Sequence, residues 1–460
     1  MRLWESIATA EGVPLGSLHA VEASVELAAL VGGSSLGGRL EELRGRSLLV
    51  ATHRPLAAAL ACIELDGVVR RLVLCPLGVA REYLPGIIEN AGIDACVRDD
   101  AGLDTKGLGI PLCVTQAPVI GGQITRRCSH DTEWVLLTSG TTGAPKLVLH
   151  TFAGLSSAIA QSGQAAEDLV WATFYDIRRY GGLQIFLRAL RAGSLVLSSP
   201  EESVPDFLAR AAARHVTHIS GTPSHWRRAL MSGAAASIAP RYVRLSGEIA
   251  DQAILDQLRS TYPKAQVAHA FATTEAGVAF EVGDGLCGFP ASLLEAAGLP
   301  VEMRVTRDTL RIRSGGNAIR YLGEGAPPLK GEDGFVDTGD RLELRSGRYH
   351  FVGRSGGVIN VGGLKVHPEE VEASINSHPW VRMSLVRSRR NPITGALVTA
   401  DVVLLDPSLG EPDRPEKKAL TQEILEACRR TLEPYKVPAT IRFVPALEVS
   451  PSGKLVRPHA

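Results

Sequence analysis

The stretch WVLLTSGTTGAPK, residues 134–146, is a short apolar run that leads directly into a loop rich in glycine and hydroxyl groups. An apolar run of this length, such as Trp134–Leu137, is typical of a buried strand. Glycines let the backbone turn several N–H groups toward one point, and four hydroxyls and a lysine add donors for anionic oxygens. We therefore predict a strand followed by a phosphate-binding loop, composed of Thr138, Ser139, Gly140, Thr141, Thr142, Gly143 and Lys146.

The position of the lysine distinguishes this loop from a Walker A loop. In a Walker A loop the lysine directly follows a glycine and precedes Ser or Thr. Here Ala144 and Pro145 separate Lys146 from Gly143, and a leucine follows the lysine. A flexible surface turn is the simpler alternative, but the ordered combination with Pro-Lys favours phosphate binding.

Apolar strands and helices alternate on both sides of the loop. Before it, Ser47–Thr52 and Arg71–Cys75 are predicted strands that flank a predicted helix at Pro55–Leu65. After it, a predicted helix at Ala250–Thr261 precedes a strand at Ala265–Ala270. Strand and helix alternating at this spacing indicate parallel sheets with crossover helices.

The pattern changes in the last third of the chain. Short strands with turns fill Val301–Val352, a glycine-rich break follows at Ser355–Gly357, and a compact α+β pattern completes the chain. We predict an α/β protein whose large domain, residues 1–354, combines parallel-sheet subdomains with a small β-rich subdomain. A small mobile α+β domain, residues 355–460, would follow it.

Composition excludes several classes of protein. Among 460 residues, 49 are Lys or Arg and 49 are Asp or Glu, so no overall field favours nucleic acid or an anionic membrane. No stretch approaches the roughly 20 apolar residues of a membrane span. Met1–Gly12 lacks the pattern of a signal peptide. We therefore expect a cytoplasmic protein that binds neither nucleic acid nor a membrane.

Cysteines are scattered along the chain without a CxxC pair. Their odd number and irregular spacing favour free thiols in a reducing compartment and indicate no zinc site. We therefore expect unpaired thiols at Cys62, Cys75, Cys96, Cys113, Cys128, Cys287 and Cys428.

Residues 136–151, LLTSGTTGAPKLVLHT, resemble the AMP-binding signature of the adenylate-forming superfamily. That superfamily includes acyl-CoA synthetases, aryl-CoA ligases, adenylation domains of peptide synthetases and luciferases. Further segments similar to its motifs follow in the superfamily's order along nearly the whole chain, at residues 217–230, 245–248, 271–275, 337–340, 363–369 and 451–455.

The resemblance implies that a carboxylic acid is activated with ATP to an acyl-AMP, and that the acyl group then passes to the thiol of coenzyme A. By resemblance, Glu275 holds Mg²⁺, a hard cation that prefers carboxylate and phosphate oxygens, and Thr274 donates to the α-phosphate. Asp340 would accept both ribose hydroxyls, with Arg354 beside it. Lys454 would bridge the α-phosphate and the attacking carboxylate.

The adenine and acyl sites of the superfamily also have counterparts here. By resemblance, Gly247 and Glu248 form the turn beside the adenine, and Phe271 lies flat near it. Ala272 and Thr273 belong to the same motif as Phe271, and Ala272 would lie at the floor of the acyl pocket. Many members have glycine there, whereas a bulky residue restricts the pocket to acetate. Alanine is intermediate, so we expect an aromatic or short-to-medium acid.

The superfamily exchanges two faces of its small domain between the half-reactions. Gly363 matches the glycine that lines the pantetheine channel, where a side chain would block a narrow passage. Coenzyme A and a phosphopantetheinyl carrier protein present the same arm, so the acceptor stays open, as does the oligomeric state. A non-catalytic nucleotide-binding relative is a third alternative, disfavoured because Glu275, Asp340 and Lys454 are present together.

A polar segment, YDIRRYGG at residues 175–182, lies where the superfamily's pocket-lining segment runs. Asp176 could pair with a substrate amino group, and Arg178 or Arg179 with a second carboxylate or a phosphate of coenzyme A. The favoured alternative is that Asp176 N-caps the following helix, which would end at Gly193. Three solitary histidines are expected to be structural, although a pocket position for the second stays open: His150, His225 and His269.

Overall fold

The computed structural model describes residues 2–4, 16–121, 128–138, 144–160, 169–295, 300–354, 356–391, 395–411, 414, 416–450 and 453–457. Within these residues, two large mixed sheets and a five-stranded antiparallel sheet are followed by two small sheets in the C-terminal region. This arrangement confirms the predicted α/β fold with a β-rich part.

A seven-stranded sheet contains the strand that leads into the predicted phosphate loop. Its neighbouring strands are, in order, Arg320–Leu322, Lys146–Thr151, Glu133–Thr138, Arg71–Leu74, Ser47–Val50, Ala95–Arg98 and Leu112–Thr115. The pairs from Glu133–Thr138 onward are parallel. Every residue of the helix Pro55–Leu65 is buried beside this sheet. Its first residue is proline, which suits a position whose N–H has no partner within the helix.

An eight-stranded sheet positions most of the candidate site. Its strands are, in order, Gly277–Val282, Gln266–Thr273, Tyr242–Ser246, His218–Gly221, Leu169–Thr173, Gly193–Leu197, Ser17–His19 and Ser24–Glu26. The inner strands are parallel. Thr222, Gly247 and Thr274 each directly follow one of three adjacent parallel strands, so they lie at one edge of the sheet. Ligands of parallel α/β sheets bind at this edge.

The five-stranded sheet is antiparallel throughout and confirms the predicted small β-rich part. Its strands are, in order, Phe289–Pro290, Arg348–Arg354, Val336–Arg345, Thr309–Ser314 and Val301–Thr306. Across its central hairpin, Asp340 lies directly opposite Arg354. The hairpin therefore places these two residues together although 14 positions separate them in the sequence.

The C-terminal region packs around a hydrophobic cluster of its own, which extends from Ile359 to Cys428. A hairpin joins Ile359–Val361 to Leu364–Val366. A second sheet pairs Val381–Asn391, Gly395–Leu404 and Thr440–Phe443. A separate core is what an independently moving domain needs; the predicted boundary after residue 354 stays a prediction.

The α-helices of the described chain lie close to the predicted positions where a prediction was made. Their bounds are Pro55–Leu65, Leu84–Ala91, Phe152–Ala160, Tyr180–Ala192, Val204–Ala213, Pro223–Met231, Gln252–Thr261, Ser292–Glu295, Pro368–Asn376 and Glu416–Thr431. Short 3₁₀ helices are found at Leu27–Leu30, Leu40–Leu43, Arg81–Tyr83, Ala234–Ser237, Pro407–Gly410 and Pro434–Lys436. Among the described residues, no helix has both the length and the apolar character needed to cross a membrane.

One cysteine pair corrects the expectation of free thiols. Cys96 and Cys113 form a disulfide, although 17 positions separate them in the sequence. They occupy directly opposite positions in the adjacent parallel strands Ala95–Arg98 and Leu112–Thr115. The prediction was wrong for this pair because strand register, which no short motif reveals, brings the two thiols together. Cys62, Cys75 and Cys428 are buried free thiols, as expected.

Candidate active site

A cleft of about 600 Å³ lies where the carboxyl edge of the eight-stranded sheet faces the five-stranded sheet and the C-terminal region. Strands, turns and residues of the helices Pro223–Met231, Gln252–Thr261 and Pro368–Asn376 supply its lining, so its polar groups are held by ordered backbone. The cleft brings together eight of the predicted site residues: Gly247, Glu248, Phe271, Ala272, Thr273, Asp340, Arg354 and Lys454.

Asp340 presents an acceptor to this cleft. Arg354 Nε donates to Asp340 Oδ1 at 3.0 Å. Asp340 is only 8% exposed, and its Oδ2 is buried without a hydrogen-bond partner among the described residues. Burial raises the pKa of this carboxyl, although the Arg354 charge opposes the shift. A buried acceptor of this kind needs a donor, such as a ligand hydroxyl.

Gly247 and Glu248 form the turn after the strand Tyr242–Ser246. Gly247 has a φ of +88°, in the left-handed region that favours glycine. A Cβ at this position would lie 3.4 Å from Lys454 Cε, so the turn and the lysine are in close contact. Glu248 accepts hydrogen bonds from the Ser224 N–H at 2.9 Å and the Ser224 hydroxyl at 3.0 Å. Its carboxylate is therefore held in one orientation.

Lys454 reaches the cleft from the C-terminal segment. Its side chain stays accessible to solvent from the cleft. Partial dehydration and then the nearby Arg354 charge lower the pKa of Lys454, while Glu248 and Asp340 oppose the shift. The ammonium group therefore lies among both cationic and carboxylate side chains in the cleft.

Phe271 and Ala272 lie near the end of the strand Gln266–Thr273. Phe271 stacks on Phe351 with 4.7 Å between ring centroids and 14° between planes, and on Phe280 at 5.8 Å. These rings give the cleft a flat apolar wall. Ala272 also lines the cleft, and it packs against the hydrophobic cluster that contains Tyr175. The bulge between Phe271 and Ala272 separates the two environments.

A second group of predicted residues surrounds Tyr321, which the sequence did not indicate as a site residue. Tyr321 donates its hydroxyl hydrogen bond to Glu275 Oε1 at 3.2 Å. Lys146 Nζ lies 5.0 Å from the centroid of the Tyr321 ring. Thr138 pairs directly with Lys146 across neighbouring strands. This side therefore joins the two ends of the predicted phosphate loop to the predicted metal ligand.

Some predicted residues are not brought to the cleft lining. Thr274 lies in the turn beside Glu275, outside the lining residues. Gly363 lies in the hairpin turn before Leu364–Val366, with a φ of +87°. Nothing lies within 4 Å of a Cβ added at this position. The remaining loop residues lie outside the described part of the chain: Ser139, Gly140, Thr141, Thr142 and Gly143.

The favoured capping role of Asp176 was wrong. Arg179 occupies the N-cap of the helix Tyr180–Ala192, with no side-chain cap hydrogen bond. Asp176 Oδ1 instead accepts from the N–H and from Nε of Arg178, at 3.0 and 2.7 Å. Arg178 also donates to the Thr52 carbonyl, so the pair ties the two large sheets together. Gly193 does follow the last helical residue, as predicted.

Sequence reasoning also missed Thr222 and the contact that His225 makes. These residues form a capping box at the start of the helix Pro223–Met231. The sequence Thr-Pro-x-His carried part of that signal, because threonine is a favoured N-cap and proline a favoured first helical residue. The Gly453 backbone lies against both side chains, a contact between distant segments that no local pattern shows.

Comparison with known families matches most of the chain after residue 82. The profile of the AMP-binding enzyme family matches residues 82–313, which is just over half of the chain. The profile of the AMP-binding enzyme C-terminal domain matches residues 370–454. Both matched regions contain residues that line the cleft.

Two curated relatives that match most of the chain are about one quarter identical to it over the matched region. A mitochondrial acyl-coenzyme A synthetase, ACSM5 of Rattus norvegicus, is 26% identical over 72% of this chain and 61% of that protein. The chain thus spans about three fifths of the length of this relative. The 2-succinylbenzoate–CoA ligase of Bacillus velezensis is 25% identical over 86% of this chain and 78% of the ligase.

Solved structures share the fold at lower identity. The o-succinylbenzoate CoA synthetase of Bacillus subtilis, in complex with its acyl-adenylate intermediate, superposes with a TM-score of 0.73 at 20% identity, covering 95% of this chain and 93% of that one. The amide bond synthetase McbA of Marinactinospora thermotolerans gives 0.75 at 18% identity, covering 98% and 97%. The match of the AMP-binding enzyme profile to just over half of the chain shows that the chain belongs to the family of AMP-binding enzymes.

Proposed function

We propose that the chain activates a carboxylic acid with ATP to an acyl-AMP and pyrophosphate, and then transfers the acyl group to the thiol of coenzyme A. The observation that carries this proposal is the meeting of Lys454 with Asp340 and Gly247 in one cleft. A protein that only bound a nucleotide would not need a lysine delivered from a distant segment. The named acyl-CoA synthetases and CoA ligases among its relatives support the choice of reaction.

The first half-reaction needs positive charge between two anions. A carboxylate oxygen attacks the α-phosphorus, and the bond to pyrophosphate breaks with its electron pair on the leaving oxygen. Because both reactants are anionic, catalysis depends on positioning and charge stabilisation. We assign the bridging position to Lys454, and the ribose hydroxyls to Asp340, whose Oδ2 has an open acceptor site. Arg354 holds the other oxygen of Asp340.

Glu275 fits a magnesium-binding role only together with the nucleotide. Among the described residues, no group of three or more His, Cys, Asp or Glu is arranged to hold a metal. Mg²⁺ in nucleotide sites is commonly held by one or two carboxylates and by phosphate oxygens, which matches a lone Glu275 beside Tyr321. Bound there, the ion would neutralise phosphate charge. Lys146 would bind the polyphosphate from the same side.

The second half-reaction is proposed to follow a rotation of residues 355–460 against residues 1–354. Lys454 would then leave the cleft and Gly363 would approach it. A Cβ added at Gly363 would have nothing within 4 Å here, so the turn has an unobstructed face that could approach the cleft. We propose coenzyme A as the acceptor because the named relatives are CoA ligases; a carrier protein with the same arm is the alternative.

ATP–pyrophosphate exchange with a panel of acids tests the function. The panel combines substituted benzoates with straight-chain acids of short and medium length, and the purified chain is supplied with ATP and Mg²⁺. We expect exchange with at least one aromatic or short-to-medium acid, followed by thioester formation when coenzyme A is added. Nucleotide binding without exchange for any acid would instead favour a non-catalytic relative.

Ala272 is expected to set the depth of the acyl pocket. Ala272→Gly should extend activity toward longer or para-substituted acids, and Ala272→Trp should leave only the smallest acids active. The change per methylene is about 10- to 200-fold in kcat/KM. Competition assays between acid pairs would measure it.

Overpacking is the alternative explanation for a loss of activity in Ala272→Trp. Ala268 lies on the same strand and is fully buried, so Ala268→Trp shows the effect of overpacking alone. A folded Ala272→Trp variant, with an unchanged Tm and a shifted acid preference, supports the pocket. If the Gly, Ala and Trp forms all preferred the same acid, the assignment would be wrong.

A further inference from the structure

Three groups of the large α/β part contact the backbone beside Lys454. They are the Thr222 hydroxyl, the His225 ring and the Glu248 carboxylate, which we call the lysine receptor. Thr222 is fully buried, and His225 is 6% exposed. Their partner is the segment 453–455, which is more than 200 positions away in the sequence.

Thr222 connects the receptor to a helix and to the lysine segment at once. Its Oγ1 accepts a hydrogen bond from the His225 N–H at 3.0 Å, as an N-cap does. The same hydroxyl donates to the Gly453 carbonyl at 2.6 Å. A hydroxyl carries a single proton, so this bond uses all of the donor capacity of Thr222.

His225 is fixed as a neutral ring by the same arrangement. Its Nδ1 accepts from the Thr222 N–H at 3.1 Å, which places the ring proton on Nε2. Burial, and then the Arg228 charge, lower the pKa of His225 to about 3. The ring stacks on Phe174 with 5.2 Å between centroids and 13° between planes, so packing holds it in place.

The ring leaves room for glycine alone at position 453. Gly453 has a φ of +74°, and a Cβ there would overlap the His225 ring. On the other side of the lysine, the Leu455 N–H donates to Glu248 Oε1 at 3.0 Å. The receptor therefore contacts the Gly453 carbonyl and the Leu455 amide, one on each side of Lys454. Its side chains bind groups of the main chain.

Other bonds of the segment stay within the C-terminal region. Arg457 donates to both oxygens of Glu372, at 2.8 and 2.7 Å. The Val456 N–H donates to the Glu448 carbonyl at 3.0 Å. These contacts attach the segment to the C-terminal region. The receptor contacts, by contrast, cross to the large part and would break when that region turns.

We propose that Thr222, His225 and Glu248 are positioning residues that seat Lys454 for acyl-adenylate formation and release it for the second step. The inference rests on the proposed function for its kinetic part. Its structural part, the seating of residues 453–455, holds without any substrate.

Thr222→Val tests the receptor because valine keeps the shape and removes the hydroxyl. Hydrogen–deuterium exchange of the ligand-free chain would follow the amides of residues 453–457. We expect their exchange to speed up by roughly 5- to 100-fold, as for loss of a hydrogen bond that leaves a buried carbonyl unpaired. Thr222→Ser, which keeps the hydroxyl, should restore the protection.

A matched control separates docking from simple loss of a helix cap. Ser203 caps the helix Val204–Ala213 by accepting from the Asp206 N–H, outside the cleft. Ser203→Ala should lower Tm about as much as Thr222→Val and leave exchange of residues 453–457 unchanged. Equal protection of that segment in Thr222→Val and the unmodified chain would overturn the proposal.

Kinetic measurements on Thr222→Val provide a second test of the proposal. Thr222→Val should slow ATP–pyrophosphate exchange by a similar roughly 5- to 100-fold, with thioester formation from synthetic acyl-AMP unchanged. An equal loss in both half-reactions would contradict a positioning role. If the unmodified chain activates no acid, the proposed function fails, and hydrogen exchange still decides whether the receptor holds the segment.

Discussion

Lys454→Ala is expected to lower acyl-adenylate formation by about 10²- to 10³-fold, the loss seen when one preorganised contact to a developing charge is removed. The lysine stands in the cleft beside Gly247 and within electrostatic reach of Asp340. Its charge is needed only while two anions approach each other. Thioester formation from preformed acyl-AMP should therefore stay close to that of the unmodified chain.

Rapid-quench assays of each half-reaction would measure the Lys454→Ala effect. Lys418→Ala provides the control, since this lysine is exposed on the helix Glu416–Thr431 and is not among the residues that line the cleft. It removes a cation from the same C-terminal region without touching the cleft. An equal loss in both half-reactions, in a folded Lys454→Ala variant, would contradict the assignment to the first step.

Gly453→Ala is expected to impair acyl-adenylate formation nearly as strongly, although it leaves the lysine in place. The left-handed conformation at position 453 costs an L-residue about 1–2 kcal/mol. The added methyl would also overlap the His225 ring, which packing on Phe174 prevents from moving. The segment 453–455 should then lose its contacts with Thr222 and Glu248, so that Lys454 no longer reaches the α-phosphate. We expect a loss of about 100-fold in pyrophosphate exchange.

Gly347→Ala is the control that separates the cost of a left-handed backbone from the overlap with the His225 ring. Gly347 has a φ of +77°, close to that of Gly453, but nothing lies within 4 Å of an added Cβ. It occupies the turn between Val336–Arg345 and Arg348–Arg354. The control should lose some stability and retain activity. Normal ATP–pyrophosphate exchange in Gly453→Ala would show that the segment 453–455 can take another position without loss of activity, contrary to this prediction.

The sequence was most informative where function and local pattern coincide. The helix Pro55–Leu65 matches its predicted bounds because apolar composition and an initial proline both specify it. Motif order placed Asp340, Arg354 and Lys454, and the structure gathers these in one cleft. The strand Val381–Asn391 was missed because its second half is exposed and rich in arginine, which hides the alternation of a buried strand.

Long-range pairing accounts for the other misses. The disulfide between Cys96 and Cys113 depends on the register of parallel strands. Tyr321 reaches Glu275 because its short strand pairs with Lys146–Thr151, at the edge of the seven-stranded sheet. Thr222 contacts Gly453 across 231 positions of the sequence. None of these contacts has a signature within a window of neighbouring residues.

Recognition of the lysine segment through a carbonyl and an amide has an evolutionary consequence. Any residue except proline supplies the same amide group at position 455, so the contact with Glu248 does not select the leucine there. At position 453, the ring of His225 excludes every side chain. Among descendants of this chain, the contact with Glu248 therefore does not constrain the side chain at position 455, whereas Gly453 can change only together with His225. Paired substitution at these two distant positions is the mark that this contact would leave in a set of orthologues.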